Sequence, residues 1–181
     1  MTSTINQVFV NIKDGGLRNV IKPVKNIDFE LFDKTKPETT YFRGKPIEGG
    51  LWTTDDGYTW TSHIINNLKV VPTFEDKLPK NGKYWEFYNL TAKEPNLYIV
   101  DSKEDYNYLL DKYLLEKYLT FNYLNWEGIS KDYDGVKLTM KGQEETKRDL
   151  FGWEVPQILW FKWVFEEPGT PQQVPFTINL V

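Results

Sequence analysis

The sequence predicts an α+β fold built as a single globular domain, and three observations support this prediction. Short runs of aromatic and β-branched residues recur between glycine, proline and aspartate turn signals, which is typical of strands. Residues 103–119 instead place their apolar side chains at helical spacing. No strand–helix–strand alternation, Gly-x-Gly-x-x-Gly motif or phosphate-binding loop occurs, which disfavours a doubly wound nucleotide-binding fold. We expect seven or eight strands and two to three helices, with an N-terminal strand and extended connection over 1–35 and the main domain over 36–181.

In the first half of the chain, residues 7–12 (QVFVNI) alternate in the manner of a strand, and a proline-containing extended connection follows them. β-branched and aromatic residues predict a strand at 39–43 (TTYFR). The segment KPIEGG is a loop, and LWTT at 51–54 is the next short strand. The stretch YTWTSHIINNLK then has apolar residues at helical spacing, which predicts the first helix.

In the middle of the chain, strands are predicted at 83–92 and 96–102. Ser102 and Asp105 form an approximate capping pair in front of the predicted helix 103–119. The stripe that we expect to face the core consists of Tyr106, Leu109, Leu110, Tyr113, Leu114 and Tyr118.

The last third of the chain begins with a shorter helical piece in NWEGISKDY and a strand in DGVKLTM. We predict that the polar segment KGQEETKRD is a loop. The segment WEVPQILWFKWVF is the longest run of aromatic and aliphatic residues and predicts a strand. Pro156 lies near its start, as expected where a strand begins or lies at a sheet edge. The proline-rich tail leads into a final extended segment.

Composition argues against several classes of function. The net charge is −4 and the pI is near 5.2, so no overall basic field attracts nucleic acid or an anionic membrane. The chain has no cysteine, which excludes disulfides, thiol nucleophiles and cysteine–metal sites, and His63 is its single histidine. We predict no metal site. No apolar run approaches the roughly 18 residues of a membrane span, and no signal-peptide pattern opens the chain, so we expect a cytoplasmic protein without membrane partners.

Four motifs occur in an order that is moderately specific. They are Tyr41-Phe42-Arg43-Gly44, then Gly50-Leu51-Trp52-Thr53-Thr54, then YDGV at 133–136 and QILWF at 157–161. Over residues 41–163 the chain resembles the ADP-ribosyltransferase superfamily, in particular its small phage and bacterial members. The resemblance implies a split β-sheet core and NAD as the cofactor. It also implies mono-ADP-ribosylation of a host macromolecule, or NAD cleavage, in the host cytoplasm.

The resemblance also implies roles for individual residues. Tyr41 and Arg43 match the first motif, where Arg43 would orient NAD through its ribose or phosphates, and the backbone of Gly44 would pair with the nicotinamide amide. Thr54 falls in the slot of the supporting hydroxyl and is preferred to Thr53. The residues that complete the predicted cofactor pocket are Trp52, Thr53 and Trp60.

The closing strand departs from the family pattern. Members of the family usually carry a glutamate there, whereas QILWF begins with Gln157, and the nearest carboxylate is Glu154, across Pro156. The predicted catalytic set is therefore Arg43, Thr54 and either Glu154 or Gln157.

Elementary chemistry favours the same residue types. Strand alternation puts Tyr41 and Arg43 on one face, and the guanidinium is a planar donor fork that suits a pyrophosphate. Glycines at 44, 49 and 50 would let the backbone approach a ligand closely. Breaking the glycosidic bond of NAD develops positive charge on the ribose, which a carboxylate would stabilise.

Three functions remain open on this basis. The first is an NAD-dependent transferase or NAD-cleaving enzyme that acts on an unknown protein or nucleic-acid acceptor. The second is a protein of the same fold that has lost its chemistry and blocks a host or phage partner, as Gln157 suggests. The third is an aromatic-rich module that binds a glycan or assembles into a particle, which would need exposed rings in a row.

Overall fold

The computed structural model describes residues 3–12, 16–30, 44–70, 72–118 and 120–176. Within these ranges the chain is a mixed α+β protein, as predicted, with four α-helices rather than two to three and with nine strands. In chain order the elements are β1 Thr4–Asn11, β2 Leu51–Thr53, α1 Gly57–Asn67, a 3-10 helix Pro72–Lys77, β3 Tyr84–Lys93, β4 Leu97–Val100, α2 Lys103–Tyr113, β5 Leu114–Tyr118, β6 Phe121–Leu124, α3 Trp126–Asp132, β7 Gly135–Leu138, α4 Met140–Thr146, β8 Gln157–Trp160 and β9 Gln172–Pro175.

Spatial proximity divides the chain into two compact units. Unit 1 comprises Met1–Asn19, Thr53–Pro95 and Val164–Val181, and unit 2 comprises Val20–Trp52 and Asn96–Trp163. The predicted boundary at residue 35 lies outside the described residues, so the predicted division of the chain stays a prediction.

Unit 1 is built on a three-stranded antiparallel sheet in the order β1–β3–β9. Trp85 and Phe87 alternate with polar residues along β3, and with Val174 of β9 they form a buried cluster against which Ile65 of α1 packs. Helix α1 begins where the Asp56 carboxylate accepts the backbone N–H of Thr59 at 2.7 Å, which satisfies a donor that no helical carbonyl reaches.

Apart from Thr53 at the end of β2, unit 2 contains a four-stranded sheet in the order β2–β8–β7–β4, with β7 antiparallel to β8 and parallel to β4. Strands β5 and β6 form a separate hairpin. The core of this unit joins the sheet to α2 and α3, and the predicted capping by Ser102 is confirmed, because its hydroxyl accepts the N–H of Asp105. The largest fully buried side chains in this core are Tyr106, Leu109, Trp126, Ile129, Leu138 and Leu159.

The prediction of a helix over 103–119 is wrong in its second part. The helix ends at Tyr113, whose carbonyl accepts the N–H of Asn125, and the chain continues as the β5–β6 hairpin. Leu114, which the helical stripe placed in the core, is 48% exposed. Over so few residues, the pattern of Leu114–Tyr118 fits a helix as well as a strand. Pairing with β6, which follows later in the chain, therefore decides for the strand.

The polar segment KGQEETKRD is not a loop, because most of it forms α4. Thr139 caps this helix by accepting the N–H of Gly142, and the buried side of the helix presents Gly142 and Thr146. Because the buried residues of this helix are small, its sequence has no apolar stripe from which the helix could be predicted. The strand predicted in WEVPQILWFKWVF is also shorter than expected, since only Gln157–Trp160 belongs to β8. None of the helices in the described residues is both long and apolar enough to cross a membrane.

Candidate functional site

The first predicted site strand lies outside the described residues. Tyr41 and Arg43 belong to that segment, so their roles in orienting NAD stay predictions. The other predicted site residues are described, and they divide between the two units: Gly44, Trp52, Glu154 and Gln157 in unit 2, and Thr53, Thr54 and Trp60 in unit 1.

Three of the four motifs lie on neighbouring strands of the four-stranded sheet. Strand β2 carries Trp52, β8 begins with Gln157, and β7 begins with Gly135 of the YDGV motif. Gln157 lies opposite Leu138 in the β7–β8 ladder. The sheet therefore brings together segments that are far apart in the sequence.

Trp153 contacts two of the site residues that are predicted in unit 2. Its indole N–H donates a buried hydrogen bond to the carbonyl of Gly44, and the ring of Trp52 packs edge-on against it with centroids 4.8 Å apart. Gln143 of α4 in turn donates to the carbonyl of Trp153 at 3.0 Å. The sequence analysis did not single out Trp153, because no sequence signal distinguishes it from the other buried tryptophans.

The same hydrogen bond limits the role predicted for Gly44. A carbonyl oxygen has two lone pairs. One of them accepts from Trp153, so a nicotinamide amide would have to use the other. A Cβ at Gly44 would lie 2.6 Å from the backbone nitrogen of Phe151, so the absence of a side chain is already required by the chain's own packing.

The glycine pair in KPIEGG has a similar explanation. Gly49 and Gly50 have positive φ angles of 86° and 77°, the left-handed region that favours glycine. A Cβ at Gly49 would collide with the carbonyl oxygen of Pro23. These glycines thus permit two segments of this chain to approach each other closely, in addition to any approach to a ligand.

The KPIEGG loop is also fixed by charge. The Glu48 carboxylate binds Lys22 at 2.6 Å and Lys25 at 2.8 Å, and backbone hydrogen bonds join Lys25 to Glu48 and Ile47. Hydrogen bonds from Lys22 and then Lys25 lower the pKa of Glu48 to about 2. The segment around residues 22–25 therefore supports the loop that leads into β2.

The two candidates for the catalytic position differ in their surroundings. Gln157 is 8% exposed within β8, whereas Glu154 is exposed and lies before the strand begins. Of the two, Gln157 occupies the strand position that the resemblance assigns to the glutamate. Its amide is neutral, so it cannot stabilise a developing positive charge as a carboxylate does.

The predicted hydroxyls of unit 1 both donate to protein groups. Thr53 is 2% exposed and donates to the side-chain oxygen of Gln7 at 2.8 Å, while Thr54 donates to the carbonyl of Asp56 at 2.8 Å. Because each hydroxyl proton is used in this way, a hydrogen bond from either threonine to a ligand would have to be one in which the hydroxyl oxygen accepts. Trp60 is half-buried and stacks on His63, with ring centroids 5.9 Å apart.

Gln7 contacts the predicted site residue Thr53, and the sequence analysis did not single it out. It is 2% exposed, and its amide donates to Asp55 at 2.7 Å while its oxygen accepts from Thr53. Strand β1 also pairs with this segment through reciprocal backbone bonds between Val8 and Thr54. The N-terminal strand thus holds the threonine-containing end of the second motif.

The glycan-binding alternative depended on exposed rings in a row. All seven tryptophans lie in the described residues, and none is exposed. The exposed tyrosines in the described part of the chain are Tyr58 and Tyr108, one in each unit. No group of three acidic, histidine or cysteine side chains in the described residues could hold a metal ion.

Comparisons with protein-family models, with curated proteins and with solved structures found no match to this chain.

Proposed function

We propose that this chain is an ADP-ribosyltransferase-like protein that binds NAD, with the split-sheet core of that superfamily. The observation that supports the proposal best is the order β2–β8–β7 in one sheet. The three motifs of the resemblance that fall in the described residues lie on these adjacent strands, as a shared ligand site requires.

In the reaction that such a site performs, the bond between the nicotinamide nitrogen and C1′ of the ribose breaks, and nicotinamide leaves with the bonding electrons. A nucleophile then bonds to C1′ and loses its proton. Arg43 would hold the pyrophosphate through its planar fork, and Trp52 would flank the nicotinamide. The acceptor would be water or a host protein or nucleic acid in the host cytoplasm.

Gln157 favours a second candidate, a degenerate member of the fold that binds NAD or a partner without performing chemistry. A neutral amide at the closing strand preserves the shape of the glutamate side chain but not its charge. Binding would survive this replacement, while stabilisation of the positively charged ribose would be lost.

The test combines NAD titration by calorimetry with chromatographic measurement of nicotinamide release by the full chain. We expect wild type to bind NAD and Arg43→Ala to lose binding. If Gln157 has replaced the catalytic group, Gln157→Glu should raise nicotinamide release by on the order of 10²-fold, the usual size of one well-placed electrostatic contact. Glu154→Gln tests the other candidate for the catalytic position, because it removes the exposed carboxylate three positions before Gln157.

The outcomes separate the candidates. Release by wild type that disappears in Glu154→Gln would identify Glu154 as the catalytic carboxylate. Release that appears only in Gln157→Glu would support the degenerate site. Absence of NAD binding in both wild type and Gln157→Glu at millimolar NAD would refute the proposal that the chain binds NAD, and would leave only the partner-binding form of the second candidate.

A further inference from the structure

A cleft lies in unit 2, formed by residues that none of the motifs includes. It is open to solvent on one side and has a volume of about 540 Å³, within the roughly 300–1,000 Å³ range of small-molecule sites. It is bordered by the start of α2, the tip and first residues of β6, and the segment that follows α4. The residues that line it are Tyr106, Thr120, Phe121, Asn122, Arg148 and Asp149.

The two charged residues that line this cleft, Asp149 and Arg148, differ in whether they form an ion pair. Asp149 is half-buried and forms an ion pair with Lys103, so its negative charge is neutralised locally. The Lys103 ammonium also lies 5.0 Å from the ring centroid of Tyr106. Arg148 is exposed, and no ion pair joins it to another residue of the described ranges. The cleft therefore presents one uncompensated guanidinium, a fork suited to an anionic oxygen group.

The remaining lining combines rings with neutral polar groups. Tyr106 is buried, and Phe121 and Asn122 are half-buried. Because Tyr106 is buried, Phe121 is the lining ring that can offer a stacking surface to a planar base. The amide of Asn122 has both a donor and an acceptor, the combination that pairs with the edge of adenine. Neither Asn122 nor Thr120 makes a side-chain hydrogen bond to another residue in the part of the chain that the structure describes.

We propose that this cleft binds a nucleoside monophosphate, with Arg148 on the phosphate, Asn122 on the base edge and Phe121 beside the ring. The combination of one cation, a paired donor and acceptor and aromatic surface in one cleft carries the inference. A simple inorganic anion would use Arg148 alone, and an apolar ligand would leave Arg148 and Asn122 without partners. The inference does not rest on NAD binding elsewhere in the chain.

The test is calorimetric titration of the full chain with AMP, adenosine and inorganic phosphate. We expect AMP to bind more tightly than either part. Arg148→Gln should weaken AMP binding by about tenfold or more, because it removes a charge-assisted contact, and should leave adenosine binding unchanged. Asn122→Ala should weaken both AMP and adenosine. Lys147→Gln is the matched control, since Lys147 is an exposed neighbouring cation that does not line the cleft.

AMP is also part of NAD, so Arg43→Ala distinguishes the two sites. AMP binding that persists in Arg43→Ala and falls in Arg148→Gln supports the cleft, whether or not NAD binds. AMP binding lost in Arg43→Ala and retained in Arg148→Gln would overturn the inference. Equal weakening in Lys147→Gln and Arg148→Gln would do so as well, because it would indicate general surface charge. Absence of heat with AMP at millimolar concentration would also reject it.

Discussion

Replacing Trp153 by phenylalanine tests whether its hydrogen bond to Gly44 stabilises the site-forming part of unit 2. Trp153 is 4% exposed, and its indole N–H is the donor to a buried carbonyl. Trp126 provides a control in the same core: it is 1% exposed and stacks on Trp153 with centroids 6.2 Å apart. Its indole N–H is buried and has no hydrogen-bond partner among the described residues. The two substitutions thus remove similar volumes, but Trp153→Phe removes a hydrogen-bonded N–H whereas Trp126→Phe removes an unpaired one.

The expected magnitude follows from this difference. Trp153→Phe leaves the Gly44 carbonyl buried without its donor, which is unfavourable by about 1–3 kcal/mol. Trp126→Phe removes an unpaired buried donor and so relieves a penalty of similar size, while both variants lose comparable packing. We therefore expect Trp153→Phe to lower the free energy of unfolding by at least about 2 kcal/mol more than Trp126→Phe does. For a chain of this length that corresponds to a difference of roughly 4–8 °C in Tm.

The assay is urea unfolding at pH 7, followed by far-UV circular dichroism so that the signal does not depend on the substituted tryptophan. The midpoint of Trp153→Phe should fall clearly below that of Trp126→Phe, with similar slopes for the two variants. Equal midpoints, or a lower midpoint for Trp126→Phe, would refute the argument that the bond to Gly44 matters beyond packing.

Two further predictions concern charge and close packing. The pKa of Glu48 is lowered by Lys22 and Lys25, so its contribution to stability should be fully present above the ordinary carboxyl pKa and be lost as pH falls toward about 2. The urea midpoints of wild type and Glu48→Gln should therefore differ at pH 7 and converge with acidification; a difference that stays constant down to pH 3 would contradict this. Gly142→Ala should destabilise the chain despite a gain of about 1 kcal/mol in helix propensity, because a Cβ there would collide with the carbonyl of Val100, and overpacking costs about 1–3 kcal/mol or more. Thermal unfolding decides the sign, and a raised Tm would show that the backbone yields.

The elements that the sequence predicted well are those whose pattern is local. Strand β1 alternates, and the start of α2 is marked by Ser102, whose hydroxyl performs the expected capping. The hairpin β5–β6 was missed because Leu114–Tyr118 continues a helical stripe that only pairing with Phe121–Leu124 interrupts. A pairing partner later in the chain is not visible in a periodicity.

The site was predicted only in part for a related reason. The motifs identified segments of the chain, and the order β2–β8–β7 agrees with a common site for them. No motif predicted that Trp153 would bond to Gly44, or that Gln7 would hold the hydroxyl of Thr53. Both contacts join residues far apart in the sequence, and both depend on buried polar groups finding one another in the folded chain.

The burial of residue 157 provides a further test of the Gln157→Glu variant. Gln157 is 8% exposed, so a glutamate introduced there would lose most of its contact with water. Loss of hydration disfavours the charged form and raises the pKa of a carboxyl above its ordinary value near 4.3. Only the ionised form stabilises a positively charged ribose, so nicotinamide release by Gln157→Glu should rise with pH through that raised pKa. A rate independent of pH between 5 and 8 would mean that a nearby cation holds the new carboxylate in its charged form, and Arg43 would be the first residue to substitute in search of that cation.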